Sequence, residues 1–457
     1  MEPSSATQGR RARLLEKLGD RPALVYAGSP VSRNYPAATY PFRASSHFLY
    51  LFGLSLEGAV GLFEAGRTTL FLPMVDAEDA LWHGPRPSFR ALAEATGCAV
   101  APLDQLPDAI LAEDCATLPA PDAATRTAQA TLLERPIAHG TLNDADLALA
   151  EALIELRLYH DEAAEAELRK AAEATVAAHR QGMQASTVGG TEHAVRAAME
   201  GEFLQRGMGP AYGSIVTVHG EVLHNHYHGN SLADGDLLLA DVGAETAAGW
   251  AADVTRSWPV NGKFSSTQRA IYEVVLSAQE AAIASAVPGA RYRDVHLTAC
   301  RALAAGLVEL GIFSGDPEEL VADGAHALFF PHGVGHLLGL DVHDMEDLGD
   351  LAGYAKGRER SAQFGLAYLR LDRDLEPGMA VTIEPGFYQV PAILHDEDRC
   401  RVAGDRLDRT ALERFKDVRG IRIEDDVLVS ATGPEVLTAD APKTVDAVEA
   451  WMAAAAE

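Results

Sequence analysis

Basic residues are scarce in this 457-residue chain, where 38 Lys and Arg stand against 66 Asp and Glu for a formal charge of −28. Phosphate backbones and anionic bilayers repel such a surface, so neither nucleic acid nor a membrane is expected as a partner. Long apolar runs are missing as well. No window approaches 18 uncharged apolar residues, the length a bilayer-spanning helix needs. The opening stretch MEPSSATQGRRARLLEKLGD lacks the apolar segment of a secretory leader, so a cytoplasmic protein is expected. Cysteine is rare: Cys98, Cys115, Cys300 and Cys400 lie far apart without ligand spacing, which fits reduced thiols better than a disulfide framework.

Core-forming material is ample. Hydrophobic residues make up 47% of the chain, and this length divides its core between two domains by default. The patterns alternate in a way that predicts an α/β (α+β) architecture. Residues 1–157 read as a first α/β domain, with strands over Ala23–Gly28 and Thr68–Pro73, strand-like material over Leu49–Phe63 and a helix over Pro87–Thr96. The stretch 116–145 is patterned too weakly to place. Leu142–Arg180 carries a helical period that breaks near Leu158–Asp161, where Asp161 offers an N-cap. The second domain, 158–457, sets helices near 192–205, 266–286 and 293–310 against strands near 214–218, 236–243 and 250–258. A strand-rich final third follows. The helix–helix–strand–strand order occurs twice, which predicts two related halves.

Carboxylates interrupt the apolar strands of this second domain, and a charge there is costly unless something pairs it. Asp241 closes Leu237–Ala240, and Asp253 lies within Trp250–Trp258. A hairpin centred near residue 247 would set the two opposite each other, with Cβ atoms about 4.5–5.5 Å apart. Carboxylates that close repel until one takes a proton or a cation joins them. Glu384 ends the apolar VTIE, and Glu424 shares a strand face with Arg422 in GIRIE. His332, His336 and His343 fall within 12 residues, beside glycines that let backbone approach a ligand closely. Singly, each of these residues also fits a surface carboxylate or a satisfied core histidine. As a set, four carboxylates and one imidazole suit a hard ion such as Mn²⁺. Four negative charges balance two divalent ions, and such a pair lowers the pKa of water held between them.

With those residues in place, the chain resembles the pita-bread metallopeptidases: Xaa-Pro dipeptidase (prolidase), aminopeptidase P and, more distantly, methionine aminopeptidase. The resemblance runs from about Tyr40 to Val445. It implies an N-terminal creatinase-like α/β domain, with TYPFRASSHFLYLFGL (Thr39–Leu54) as the local match, followed by a pita-bread catalytic domain. It implies two divalent metal ions, Mn²⁺ first and Co²⁺ or Zn²⁺ as alternatives, held by Asp241, Asp253, His336, Glu384 and Glu424. Glu384 is then the proton carrier, His224 a substrate contact, and His332 and His343 the pair that steadies the scissile carbonyl. Arg422 and Tyr388 match supporting and pocket positions. Asn225 departs from the family, where an aromatic residue usually follows the first histidine, so the pocket wall is expected to differ there. His226 and His228 read as plain loop residues. A homodimer is also implied.

The implied reaction is hydrolysis of the peptide bond preceding proline, in a small peptide substrate. Between Asp344 and Glu384 lies an insertion of about forty residues. It resembles the prolidase insertion, aminopeptidase P having a shorter connection, and Ala392–Phe415 is similar to prolidase too. Arg370 in this insertion matches the arginine that grips the dipeptide's free carboxylate. A guanidinium–carboxylate fork rewards a substrate that ends at proline. Dipeptidase activity is therefore expected, with Xaa-Pro aminopeptidase as the alternative. Creatinase shares the fold but lacks the metal ligands, all five of which are present here; a non-catalytic pita-bread binding protein, of a kind that loses ligands, is the non-enzyme alternative.

Overall fold

The computed structural model describes residues 4–74, 78–110 and 114–454. The chain forms two compact units that part between Ala163 and Ala164, against the expected division after residue 157. The helices Asp144–Arg157 and Glu162–Ala185 are separated by the break at 158–161. Asp161 directly precedes the second of them, and its carboxylate also receives the Arg10 guanidinium at 2.8 and 2.9 Å.

The first unit is built on a five-stranded sheet. Its strands are β1 (Ala23–Tyr26), β2 (Val60–Glu64), β3 (Arg67–Leu72), β4 (Ala99–Pro102) and β5 (Ala116–Thr117), in the order β4-β3-β2-β1-β5. Ala65 and Gly66 close the β2–β3 hairpin at φ of 50° and 71°, the handedness that matches strand twist. The strand-like reading of Leu49–Phe63 needs correction in its first part. Ser46–Phe52 is a helix, because Ser45 accepts the Phe48 N–H at its start and Gly53, at φ 66°, ends it. A short apolar run has no period of its own, and the caps decide the outcome. The unplaced stretch 116–145 holds β5 and the helix Ala123–Leu132, capped by the Asp122 carboxylate.

In the second unit the strands are β6 (Gly209–Pro210), β7 (Ile215–Thr217), β8 (Leu237–Asp241), β9 (Ala244–Glu245), β10 (Thr255–Pro259), β11 (Ala380–Ile383), β12 (Gly386–Tyr388), β13 (Gly420–Arg422), β14 (Asp425–Ser430) and β15 (Gly433–Val436). Helices Glu162–Ala185 and Glu192–Gln205 precede the antiparallel sheet β10-β8-β7. Helices Ser266–Ser285 and Tyr292–Glu309 precede the antiparallel sheet β11-β14-β15. The repeated order read from the sequence is therefore present as two similar layers. Phe203, Val216, Leu238 and Trp258, none of them exposed, pack between the helices and strands of the first half. Burying each such side chain stabilises by about 1.5–3 kcal/mol. Among the described residues no helix is long and apolar enough to cross a membrane.

The β8–β10 register differs from the one expected. Asp241 lies opposite Thr255, so the ribbon is centred one residue later and Asp253 is a diagonal neighbour of Asp241. Gly243 accounts for this close pairing, since a Cβ there would stand 1.8 Å from the Ala252 carbonyl oxygen. From the helix behind, the buried His179 donates its Nε2–H between the Val242 and Val254 carbonyls, at 3.2 and 3.1 Å. Gly243→Ala is accordingly expected to destabilise the chain by about 2–3 kcal/mol through overpacking. Denaturant unfolding checks this, and an unchanged midpoint would contradict it.

Candidate metal centre

Asp241 stands at the end of β8 and Asp253 two residues before β10, and both accept from one hydroxyl. Tyr212 Oη lies 2.6 Å from each carboxylate. The Asp253 N–H points back to the Asp426 carboxylate at 3.1 Å, which fixes the backbone there. The second half of the unit supplies the other three residues. Gly335 passes under the carbonyl of Thr382, where a Cβ would stand 2.2 Å from that oxygen, and this brings His336 beside β11. His336 Nε2 is 3.4 Å from Asp253 and 3.6 Å from Glu384. Glu424 joins the two halves: its N–H donates to the Thr255 carbonyl at 3.0 Å, and its carboxylate accepts the Thr255 hydroxyl at 2.6 Å. One donor atom each from Asp253, His336 and Glu424 lies within 4.8 Å of the others.

Burial sets the charges in this cluster. It pushes Asp241 up to about 6, with Arg422 opposing and Asp253 adding to the rise. Glu384 rises to about 7 for the same first reason, eased by His336 and Arg422. Glu424 is held well above the carboxylate range by burial and then by Asp253, Glu384 and Asp241. Asp253 alone is lowered: burial, the largest influence, raises it, but the hydrogen bonds from His336 and Tyr212 and the charges of His336 and His343 together outweigh burial. His336 is raised, its burial being overcome by Asp253 and Glu384. Its Nδ1–H donates to the Leu337 carbonyl at 2.9 Å, which leaves Nε2 as the atom facing the carboxylates. That is the tautomer a metal-binding imidazole needs. Crowded carboxylates, a directed imidazole nitrogen and no thiolate form a donor set that fits hard divalent cations.

A pH dependence follows from these shifts. Carboxyls of an unfolded chain titrate near 4. Protons held by Asp241 and Glu384 therefore stabilise the metal-free fold fully below about pH 4, and that contribution is lost as pH rises through 6–7. Asp253, shifted down, contributes stability above about pH 4 that is lost only as pH falls below that. Metal-free protein is expected to melt progressively lower between about pH 5 and 8, and added Mn²⁺ to raise the melting temperature most at the upper end. Thermal melts with and without Mn²⁺ check this. An increment independent of pH would contradict it.

Around the cluster, Arg422 donates to Asp241 at 2.5 Å, to Thr255 at 2.8 Å and to the Tyr388 hydroxyl at 3.0 Å. His332 donates Nδ1–H to the Gly333 carbonyl at 2.8 Å and meets the Tyr388 hydroxyl through Nε2 at 2.9 Å, so both ring nitrogens are engaged within the chain. Burial pushes its pKa down to about 3. His343 packs edge-on against His336, with ring centroids 4.2 Å apart, and its Nδ1 lies 3.3 Å from Glu346. Glu346 in turn is paired with Arg370. His224 is exposed on the loop after β7. Partial burial and then the positive charge of Arg422 and Arg370 lower its pKa. His336, Glu346, Gly353, Tyr368 and Arg370 line a cavity of about 320 Å³.

Several positioning residues escaped the sequence reading. Tyr212, Thr255 and His179 are single polar residues that no spacing singles out. Asp425 is buried beside Glu424 and held far below its usual range, where Arg256 at 2.6 Å and Lys443 at 2.9 Å outweigh its burial. The run EDD carried a signal for it: three acids ending an apolar strand cannot all face solvent.

Comparisons with known proteins accord with this geometry. Residues 166–431 match the profile of metallopeptidase family M24, and residues 7–117 that of the aminopeptidase P N-terminal domain. The Xaa-Pro dipeptidase of Homo sapiens is 32% identical over 465 residues, covering 97% of this chain and 92% of that protein. The Xaa-Pro aminopeptidase of Escherichia coli (strain K12) is also 32% identical, over 482 residues, covering 98% and 97%. Among solved structures, aminopeptidase PepP of Pseudomonas aeruginosa aligns with a TM-score of 0.82 at 32% identity, over 99% of each chain. Zn-substituted E. coli aminopeptidase P in complex with product gives 0.82 at 31% identity, over 99% of this chain and 98% of that one. The fold and these matches thus define a metallopeptidase. More narrowly, the chain belongs to metallopeptidase family M24, in its group of pita-bread enzymes that holds prolidase and aminopeptidase P.

Proposed function

We propose that the chain is an Xaa-Pro dipeptidase with a two-metal centre held by Asp241, Asp253, His336, Glu384 and Glu424. Manganese suits four carboxylates and one imidazole, and Co²⁺ or Zn²⁺ would find the same donors. When bound, the ions supply water of lowered pKa and polarise the scissile carbonyl. Glu384, which stands 3.6 Å from His336 within the buried donor set, is suited to carry a proton to the departing proline nitrogen. His343, oriented by Glu346, lines the carbonyl side of the site. Arg422, Tyr388 and His332 form a hydrogen-bonded wall. His224 closes the substrate side from its loop.

One observation carries the choice of dipeptidase: Arg370, through Glu346, is joined to the His343 ring that packs on His336. In an Xaa-Pro dipeptide the free carboxylate is one residue from the scissile bond, so a cation that grips it must stand this near the centre. Longer peptides carry an amide at that point and lose the charge-assisted fork. Relatives named for each activity stand at equal identity, so substrate length decides between them. Mn²⁺-loaded enzyme is expected to hydrolyse Ala-Pro far faster than Ala-Pro-Ala. Rapid cleavage of the tripeptide would make it an Xaa-Pro aminopeptidase instead.

A further inference from the structure

Apart from the five donors, His296, Cys300 and His326 form a second cluster in the same unit, each with no exposed surface. One donor atom from each lies within 4.8 Å of the others. His296 and Cys300 are one turn apart on the helix Tyr292–Glu309 and so share a face, with Cys300 Sγ 3.4 Å from His296 Nε2. His326 reaches them from the 3₁₀ turn Ala325–Leu328, its ring 6.3 Å from that of His296. Among the described residues, neither ring nitrogen of His326 has a hydrogen-bond partner. The Leu320 backbone bears on the ring without meeting hydrogen-bond geometry. A buried imidazole left unmet at both nitrogens carries its full desolvation cost, and native structures seldom keep one without a ligand. A metal ion is the ligand that such nitrogens and an adjacent sulfur can share.

Charge narrows the choice of ion. Burial holds His326 down at about 4 and His296 well below its usual value, and it raises the Cys300 thiol. No carboxylate pairs with the three among the described residues. One thiolate and two neutral imidazoles cancel a single positive charge, whereas a divalent ion would leave an uncompensated charge in apolar surroundings. Thiolate and imidazole donors without oxygen also favour a soft cation.

We propose that His296, Cys300 and His326 form a second metal site, separate from the five-donor centre, that takes one monovalent soft cation, Cu⁺. As the Cu–S bond forms, the Cys300 S–H bond breaks and its proton goes to solvent. Copper keeps its oxidation state, so no oxidant is needed. The site lies one aromatic ring behind the centre: Phe330 is 5.5 Å from the His296 ring and stands edge-on to His332 at 4.8 Å.

The test is an anaerobic titration of the full chain, filled beforehand with Mn²⁺, with Cu⁺ in competition with a chromophoric Cu⁺ chelator. Wild type is expected to take one equivalent of Cu⁺ and to keep its Mn²⁺, since oxygen donors hold the hard ion. Cys300→Ala and His326→Phe are each expected to lose that equivalent. A chain lacking Cys98, Cys115 and Cys400 is expected to retain it. Failure of wild type to take Cu⁺ from the chelator overturns the site without recourse to any variant. An equivalent that survives Cys300→Ala, or vanishes with the other three cysteines, overturns it as well.

Discussion

Asp253→Asn is expected to abolish hydrolysis of Ala-Pro, by roughly 10³-fold or more in kcat/KM, a loss above about 4 kcal/mol of transition-state stabilisation. The amide is isosteric, and the side chain's surroundings hold its shape: Tyr212 donates to it and Asp426 anchors its N–H. What changes is charge. Asp253 is the one carboxyl in the cluster whose partners, His336 first, hold it below its usual pKa against burial, so its anionic form is the one its surroundings favour. Its loss removes the anion between His336 and Glu424 and puts an amide hydrogen against one of them. Metal retention and turnover should therefore fall together. Activity with excess Mn²⁺, read beside metal content after dialysis, checks both, and full activity would refute the assignment of Asp253 as a ligand.

Arg370→Ala carries the second large effect. A charge-assisted fork to a carboxylate is among the strong hydrogen bonds, and losing about 2–3 kcal/mol of it lowers kcat/KM by roughly 30- to 200-fold. The effect should appear with Ala-Pro and vanish with Ala-Pro amide, which has no carboxylate to grip. Arg370→Lys should restore only part of it, since an ammonium cannot form the planar pair. Glu346 contacts both Arg370 and His343, so a small change in kcat is expected alongside the larger change in KM. Equal loss on the dipeptide and its amide would assign Arg370 to holding Glu346 rather than substrate.

How much of this was legible in the sequence depends on distance along the chain. Carboxylates that end apolar strands advertise themselves, because burial without a partner is costly, and Asp241, Glu384 and Glu424 are of that kind. The doubled helix–helix–strand order was legible for a similar reason, each element carrying its own period. Register was not: whether Asp253 lies opposite or diagonal to Asp241 turns on a single residue, Gly243, and on the His179 ring behind it. Helix Ser46–Phe52 was hidden because its apolar run, Phe48–Phe52, has no readable period and its caps are one serine and one glycine. The cysteines were weighed against one another, which concealed the pairing of Cys300 with His296 one turn earlier. The third member, His326, comes from a separate turn that only the fold brings near.

The central claim is that five side chains from two halves of one unit hold a pair of cations. Anomalous diffraction from crystals of Mn²⁺-loaded protein tests it directly. Two peaks about 3.5–4 Å apart, the spacing of two-metal hydrolytic sites, are expected among Asp241, Asp253, His336, Glu384 and Glu424. Peaks bounded by other side chains, or none within reach of Asp253 and Glu424, would contradict it.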